Sequence, residues 1–91
     1  MDKELKAKWV TALRSGKYSQ GKGALLRDGL YCCLGVLCEV QGRSDDWRKW
    51  NIHPFENDQG PITFAQAMPL ADMNDTGKSF PEIADYIEAN L

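Results

Sequence analysis

The run CCLGVLC, from Cys32 to Cys38, carries no charged side chain and no period-2 alternation, so it cannot present one polar face to water in the way an edge strand does. Glu39 ends the apolar stretch and Gly42 offers a stop, which predicts a short helix buried on most sides. Gly35 within it lowers helix propensity by about 1 kcal/mol relative to Ala, and marks a place where another backbone can come close. A chain of 91 residues supports a single core. The segment's neighbours are therefore expected to be the first or the last helix of a single domain spanning residues 1–91.

Those two helices are legible at the ends. Leu5, Trp9 and Leu13 recur every four residues with Val10 and Ala12 beside them, while Lys3, Lys6 and Lys8 lie elsewhere on the wheel; this is an amphipathic helix over about residues 3–15, stopped by Arg14 and Gly16. At the other end, Ser79 followed by Glu82 forms a capping-box signature with Pro81 in the first turn. Phe80, Ile83, Ala84, Ile87 and Leu91 then share one face. Between Leu26 and Tyr31, the Asp28-Gly29 dipeptide is a tight hairpin signal. Ile62-Thr63-Phe64 reads as a third strand, and Leu70 and Met73 as a short helical turn ending in Asn74-Asp75-Thr76-Gly77. The fold class expected is α+β: an N-terminal helix, a short β-hairpin or three-stranded sheet, a buried central cysteine helix and a capped C-terminal helix. Residues 43–61 read as an aromatic loop containing Trp47, Trp50, Ile52 and Phe55.

Charge narrows the function classes. Residues 1–27 hold seven Lys or Arg against Asp2 and Glu4, whereas residues 50–91 hold only Lys78 against seven acids; the net charge is −2. That balance speaks against a dedicated duplex-DNA binder. No run approaches the ~18 apolar residues of a membrane span, and the charged N-terminus MDKELKAKW is unlike a signal peptide. A cytoplasmic protein without membrane attachment is expected. Three cysteines, two of them adjacent, make a poor disulfide framework. Without C-x-x-C spacing they are also a poor metal site, and no metal or cofactor is expected.

Two segments carry candidate chemistry. The stretch from Arg14 to Gly23, RSGKYSQGKG, interleaves glycines with cations and an aromatic ring, as a phosphate-binding loop does. Gly77-Lys78-Ser79 opens the last helix, where backbone N–H groups favour an anion; a full P-loop is absent, because Asp72 stands where its first glycine is required. The candidate ligand-binding set is Arg14, Lys17, Tyr18, Lys22, Arg27, Trp47, Trp50, Lys78 and Ser79, with the aromatics available for base stacking. Cys32 or Cys33 as thiolate with His53 as base supplies a hydrolase alternative. The bland reading of the cysteines as small buried hydrophobes competes with it.

The segments SGKYSQGKGALLRDGLYCCLGVLCEV and LADMNDTGKSFPEIADYIEANL together resemble a family of small uncharacterised tailed-phage and prophage proteins. These share a CCLGVLC segment and an LNDxGxSFxEIADYIE-like C-terminus; here Met73 stands where Leu is common. The resemblance covers about half of the chain, and residues 43–68 lie outside it. It implies a phage accessory protein in the cytoplasm of an infected bacterial host, and it brings no catalytic residues with it. The function expected is non-enzymatic counter-defence: binding and sequestration of a phosphate-bearing, nucleotide-like small molecule, with the protein as a homo-oligomer. The alternative is protein–protein inhibition of a host nuclease or immune complex, in the manner of an anti-CRISPR, through Asp72, Asp75, Asp85 and Glu88.

Overall fold

The computed structural model describes residues 1–22, 26–27, 29–41 and 62–91. Four helices account for most of them: α1 (Lys3–Arg14), α2 (Cys33–Val40), α3 (Phe64–Asp75) and α4 (Phe80–Asn90). Strands β1 (Leu26–Arg27) and β2 (Leu30–Tyr31) pair antiparallel, Leu26 with Tyr31 and Arg27 with Leu30. Gly29 in the connecting turn has φ +78°, a conformation open to glycine at little cost. A single parallel bridge joins Gln20 to Tyr31.

The expected α+β class is therefore corrected: the fold is mostly helical, and among the described residues β structure is limited to one pair of two-residue strands and a single bridge, with no larger sheet for the helices to cover. The overturned element is Ile62-Thr63-Phe64. Instead of forming a third strand, Thr63 caps a twelve-residue helix. Its Oγ1 accepts from the Gln66 N–H at 3.1 Å while the Gln66 side chain accepts from the Thr63 N–H at 2.8 Å. Pro69 sits inside that helix, removing one N–H from the ladder, which is why the sequence pattern there predicts only a turn. The helix closes as a Schellman motif: Lys78 N–H donates to Met73 C=O at 3.0 Å and Gly77, at φ +102°, reverses the chain.

The terminal helices form as their patterns dictate. Asp2 caps α1 by accepting from Leu5 N–H at 2.8 Å, and Ser79 and Glu82 complete the capping box of α4. Trp9 and Leu13 of α1 and Ile83, Ala84 and Ile87 of α4 are buried, and among the described elements these two helices pack on each other most extensively. The central helix α2 is buried from Cys33 to Cys38 and touches α1 and α3. The Trp9 indole N–H donates to Cys33 C=O at 2.9 Å, tying α1 to α2.

An apolar helix start has no polar side chain with which to cap itself, and Cys32 makes no side-chain cap. The cap comes from α3. Asn74, fully buried, accepts from Cys33 N–H at 3.2 Å and from Gln20 Nε2 at 3.0 Å through Oδ1, and donates to Gly21 C=O at 2.7 Å through Nδ2. One amide thereby joins α3, α2 and the segment leading to the hairpin. Replacing it, Asn74→Ala, leaves the buried Cys33 N–H without its partner and removes one bond each from Gln20 and Gly21; with roughly 1–3 kcal/mol for the orphaned buried donor, the protein is expected to lose about 2–4 kcal/mol, read as a lowered urea midpoint. An unchanged midpoint would show that water replaces the amide at no cost.

Gly21 is pinned between Gly21 N–H→Tyr31 C=O, 2.7 Å, and the Asn74 bond. A Cβ there would stand 2.6 Å from the Leu30 Cβ. Gly21→Ala is expected to cost about 1–3 kcal/mol through this overlap, seen as a fall of several degrees in Tm.

Candidate functional site

The candidate cations are not all brought to one cradle. Arg14, the last residue of α1, faces α4: one guanidinium nitrogen donates to Asp85 at 2.6 Å and the other to Glu88. The side-chain hydrogen bonds to Asp85 and then Glu88 raise the Arg14 pKa further. Lys6 donates to Glu88 C=O at 3.2 Å, and Lys78 lies 3.8 Å from Glu82. The anion position expected at the start of α4 is filled by the chain itself: Glu82 accepts from Ser79 N–H at 3.2 Å and from Ser79 Oγ at 3.0 Å. These bonds hold its pKa below the ordinary carboxylate value. Arg14, Lys78 and Ser79 thus serve the packing and capping of α4. Lys22 is exposed, Arg27 lies in β1, and Trp47, Trp50 and His53 fall outside the described residues.

Lys17 and Tyr18 are placed differently. Gly16, at φ +75°, turns the chain out of α1, and the Ser15 hydroxyl accepts from Lys17 N–H at 3.1 Å. That turn lays Lys17 and Tyr18 beside the exposed flank of α1. Among the described residues, a groove of about 570 Å³ runs along this flank, lined by Lys8, Thr11, Ser15, Lys17 and Tyr18. Ala7, Ala12 and Val40 complete it. No carboxylate is among these residues, and neither Lys8 nor Lys17 is paired with an acid among the described residues. The volume lies within the range of small-molecule sites. A second, smaller groove at Lys3, Lys6, Ala7 and Val10 is lined by Glu88 as well, which disfavours an anion there.

The sequence pattern picks out Lys17 and Tyr18 but misses Lys8 and Thr11. Their signal lies in helix spacing: residues 8, 11, 12 and 15 form one stripe of α1, made of small or polar side chains opposite the buried Trp9–Leu13 face.

The thiols lie in the core. Cys32, Cys33 and Cys38 are reduced and buried. Burial pushes the Cys32 thiol up to about 11, against the backbone N–H groups of Gly35 and Leu34 that act to lower it, and raises Cys33 as well. Cys33 Sγ instead donates to Leu70 C=O at 3.5 Å, a link between α2 and α3. Of the acids expected to meet a host surface, Asp85 and Glu88 hold Arg14, while Asp72 and Asp75 are exposed at the end of α3. Among the described residues no cluster of His, Cys, Asp or Glu has the makings of a metal site, and no helix is long and apolar enough to cross a membrane.

The fold and groove define a small helical protein with an apolar core and a cationic flank. The chain belongs to the family described as "Domain of unknown function (DUF8296)", whose model matches residues 1–61. No curated protein and no solved structure matches it.

A thiol whose folded pKa exceeds its unfolded value keeps its proton longer in the native state, so its contribution to stability is complete below about pH 9 and is lost as pH rises through about 11. Stability is expected to fall by about 3 kcal/mol across that window, with the loss reduced in Cys32→Ala. In parallel, iodoacetamide at pH 7.5 should leave the native thiols unmodified and label all three in denaturant. Rapid labelling of the native protein would overturn the assignment.

Proposed function

We propose that the protein is a non-enzymatic binding protein that sequesters a phosphate-bearing small molecule in the groove along α1. The observation that carries this reading is the convergence of Lys8 and Lys17 on one concavity with Tyr18, free of carboxylates among the described residues. Two ammonium groups over an apolar floor attract and partly desolvate an anion, where a charge-assisted hydrogen bond is strongest. The Thr11 hydroxyl adds a neutral donor at the same wall. All the lining groups belong to one chain, so binding in the groove does not depend on the homo-oligomer expected from the sequence. Set beside the resemblance to phage proteins, this makes the protein an accessory factor that withdraws a nucleotide-like signal in the cytoplasm of an infected bacterium. The acidic flank favours an inhibitor of host proteins less, because Arg14 already neutralises Asp85 and Glu88.

A panel of mono-, di- and cyclic nucleotides tests the reading by thermal shift. A member present at 100 times its Kd adds about 2.7 kcal/mol to stability, which for a domain of this size raises Tm by several degrees or more. In the double variant Lys8→Glu, Lys17→Glu, the unliganded Tm should stay close to that of the parent, since both side chains are exposed. The ligand-induced shift should disappear. No shift with any nucleotide, or a shift unchanged in the double variant, would refute the proposal.

A further inference from the structure

Within the groove, one aromatic ring and one ammonium group are already in contact. Lys17 Nζ lies over the Tyr18 ring, 5.7 Å from its centroid, and both groups line the concavity. The ring is held from its other neighbour by Tyr31, whose ring meets it edge-on at a centroid distance of 5.0 Å and an interplanar angle of 79°. Tyr31 is itself fixed through its backbone: its N–H donates to Ser19 C=O at 2.8 Å and its C=O accepts from Gly21 N–H at 2.7 Å. Tyr18 is therefore a pre-positioned ring whose groove-side partner is a flexible cation on a long stem, and a cation at an exposed ring is bound only weakly. An anion offers that ammonium a stronger partner than a ring does.

We infer that the groove selects anions that carry a planar aromatic ring, the ligand's anionic group drawing Lys17 away from Tyr18 and its ring taking the vacated face of Tyr18. This deepens the anion-binding reading of the same groove and rests on it. The ligand class is a mononucleotide or similar aryl phosphate, in contrast to inorganic phosphate or a sugar phosphate. Lys8, on the helix wall, holds the anion while Lys17 changes partners. Base–aromatic stacking then separates ligands that share the same phosphate, by about 5- to 150-fold in affinity.

The test compares adenosine 5′-monophosphate with ribose 5-phosphate by calorimetric titration of the full chain. The nucleotide is expected to bind at least about fivefold more tightly. Tyr18→Leu should bring it down to the level of ribose 5-phosphate, and Tyr18→Phe should preserve the difference. A measurement that needs no variant accompanies these: the adenine H2 and H8 resonances should move upfield on binding to the unaltered protein, as the current of the Tyr18 ring requires. Equal affinities for the two probes, both weakened by Lys17→Glu and with unshifted adenine protons, would overturn ring selection and leave the anion groove standing. Failure of both probes to bind would remove the groove reading and this inference together.

Discussion

A buried helix made of apolar residues creates a problem at its own N-terminus, where backbone N–H groups point into the interior without partners. In this protein the side-chain amide of Asn74 resolves part of it, and much of the remaining structure is arranged around that amide. Because Oδ1 receives both Cys33 N–H and the Gln20 side chain while Nδ2 reaches Gly21 C=O, the end of α3 cannot move without disturbing α2 and the segment before the hairpin. Gln20 also donates to Lys78 C=O at 2.6 Å, extending the network to the start of α4. A fully buried amide is tolerated only when its hydrogen-bonding capacity is used, and here it also fixes which helices meet.

Charge is distributed by the same economy of partners. The α1–α4 pair, the most extensive helix contact among the described residues, is rimmed by Arg14, Asp85 and Glu88, so one cation of the first third meets two acids of the last helix across it. Exposed pairs of this kind add little stability and mainly fix orientation. Sorting the cations in this way leaves Lys8 and Lys17 on the other flank of α1, and gives the groove its sign.

The family match ends at residue 61, yet the fold does not close there. Ile62, Ala67, Leu70, Phe80, Ile83 and Ile87 belong to the same buried cluster as Trp9, Leu13, Leu34 and Leu37, and Asn74 lies beyond the match as well. The matched segment contributes the groove, and the two helices after it contribute the other half of the core that holds the groove's walls in place.

The boundaries and buried faces of α1 and α4 are properties of the sequence, because a 3.6-residue apolar period and a capping residue act within one or two turns. The same holds for the burial of Cys32–Cys38, forced by the absence of any polar side chain, and for the reversal at Gly29. Tertiary structure alone decided the rest. Pro69 masks a full helix that Thr63, Gln66 and core contacts sustain, so the expected third strand vanishes and the fold is helical. Arg14 reads as a candidate phosphate ligand until α4 is laid against it, and Lys8 reads as a solvated charge until the turn at Gly16 brings Lys17 and Tyr18 alongside. Which charge is neutralised and which lines a concavity depends on distances between residues far apart in the chain, and no local pattern encodes those.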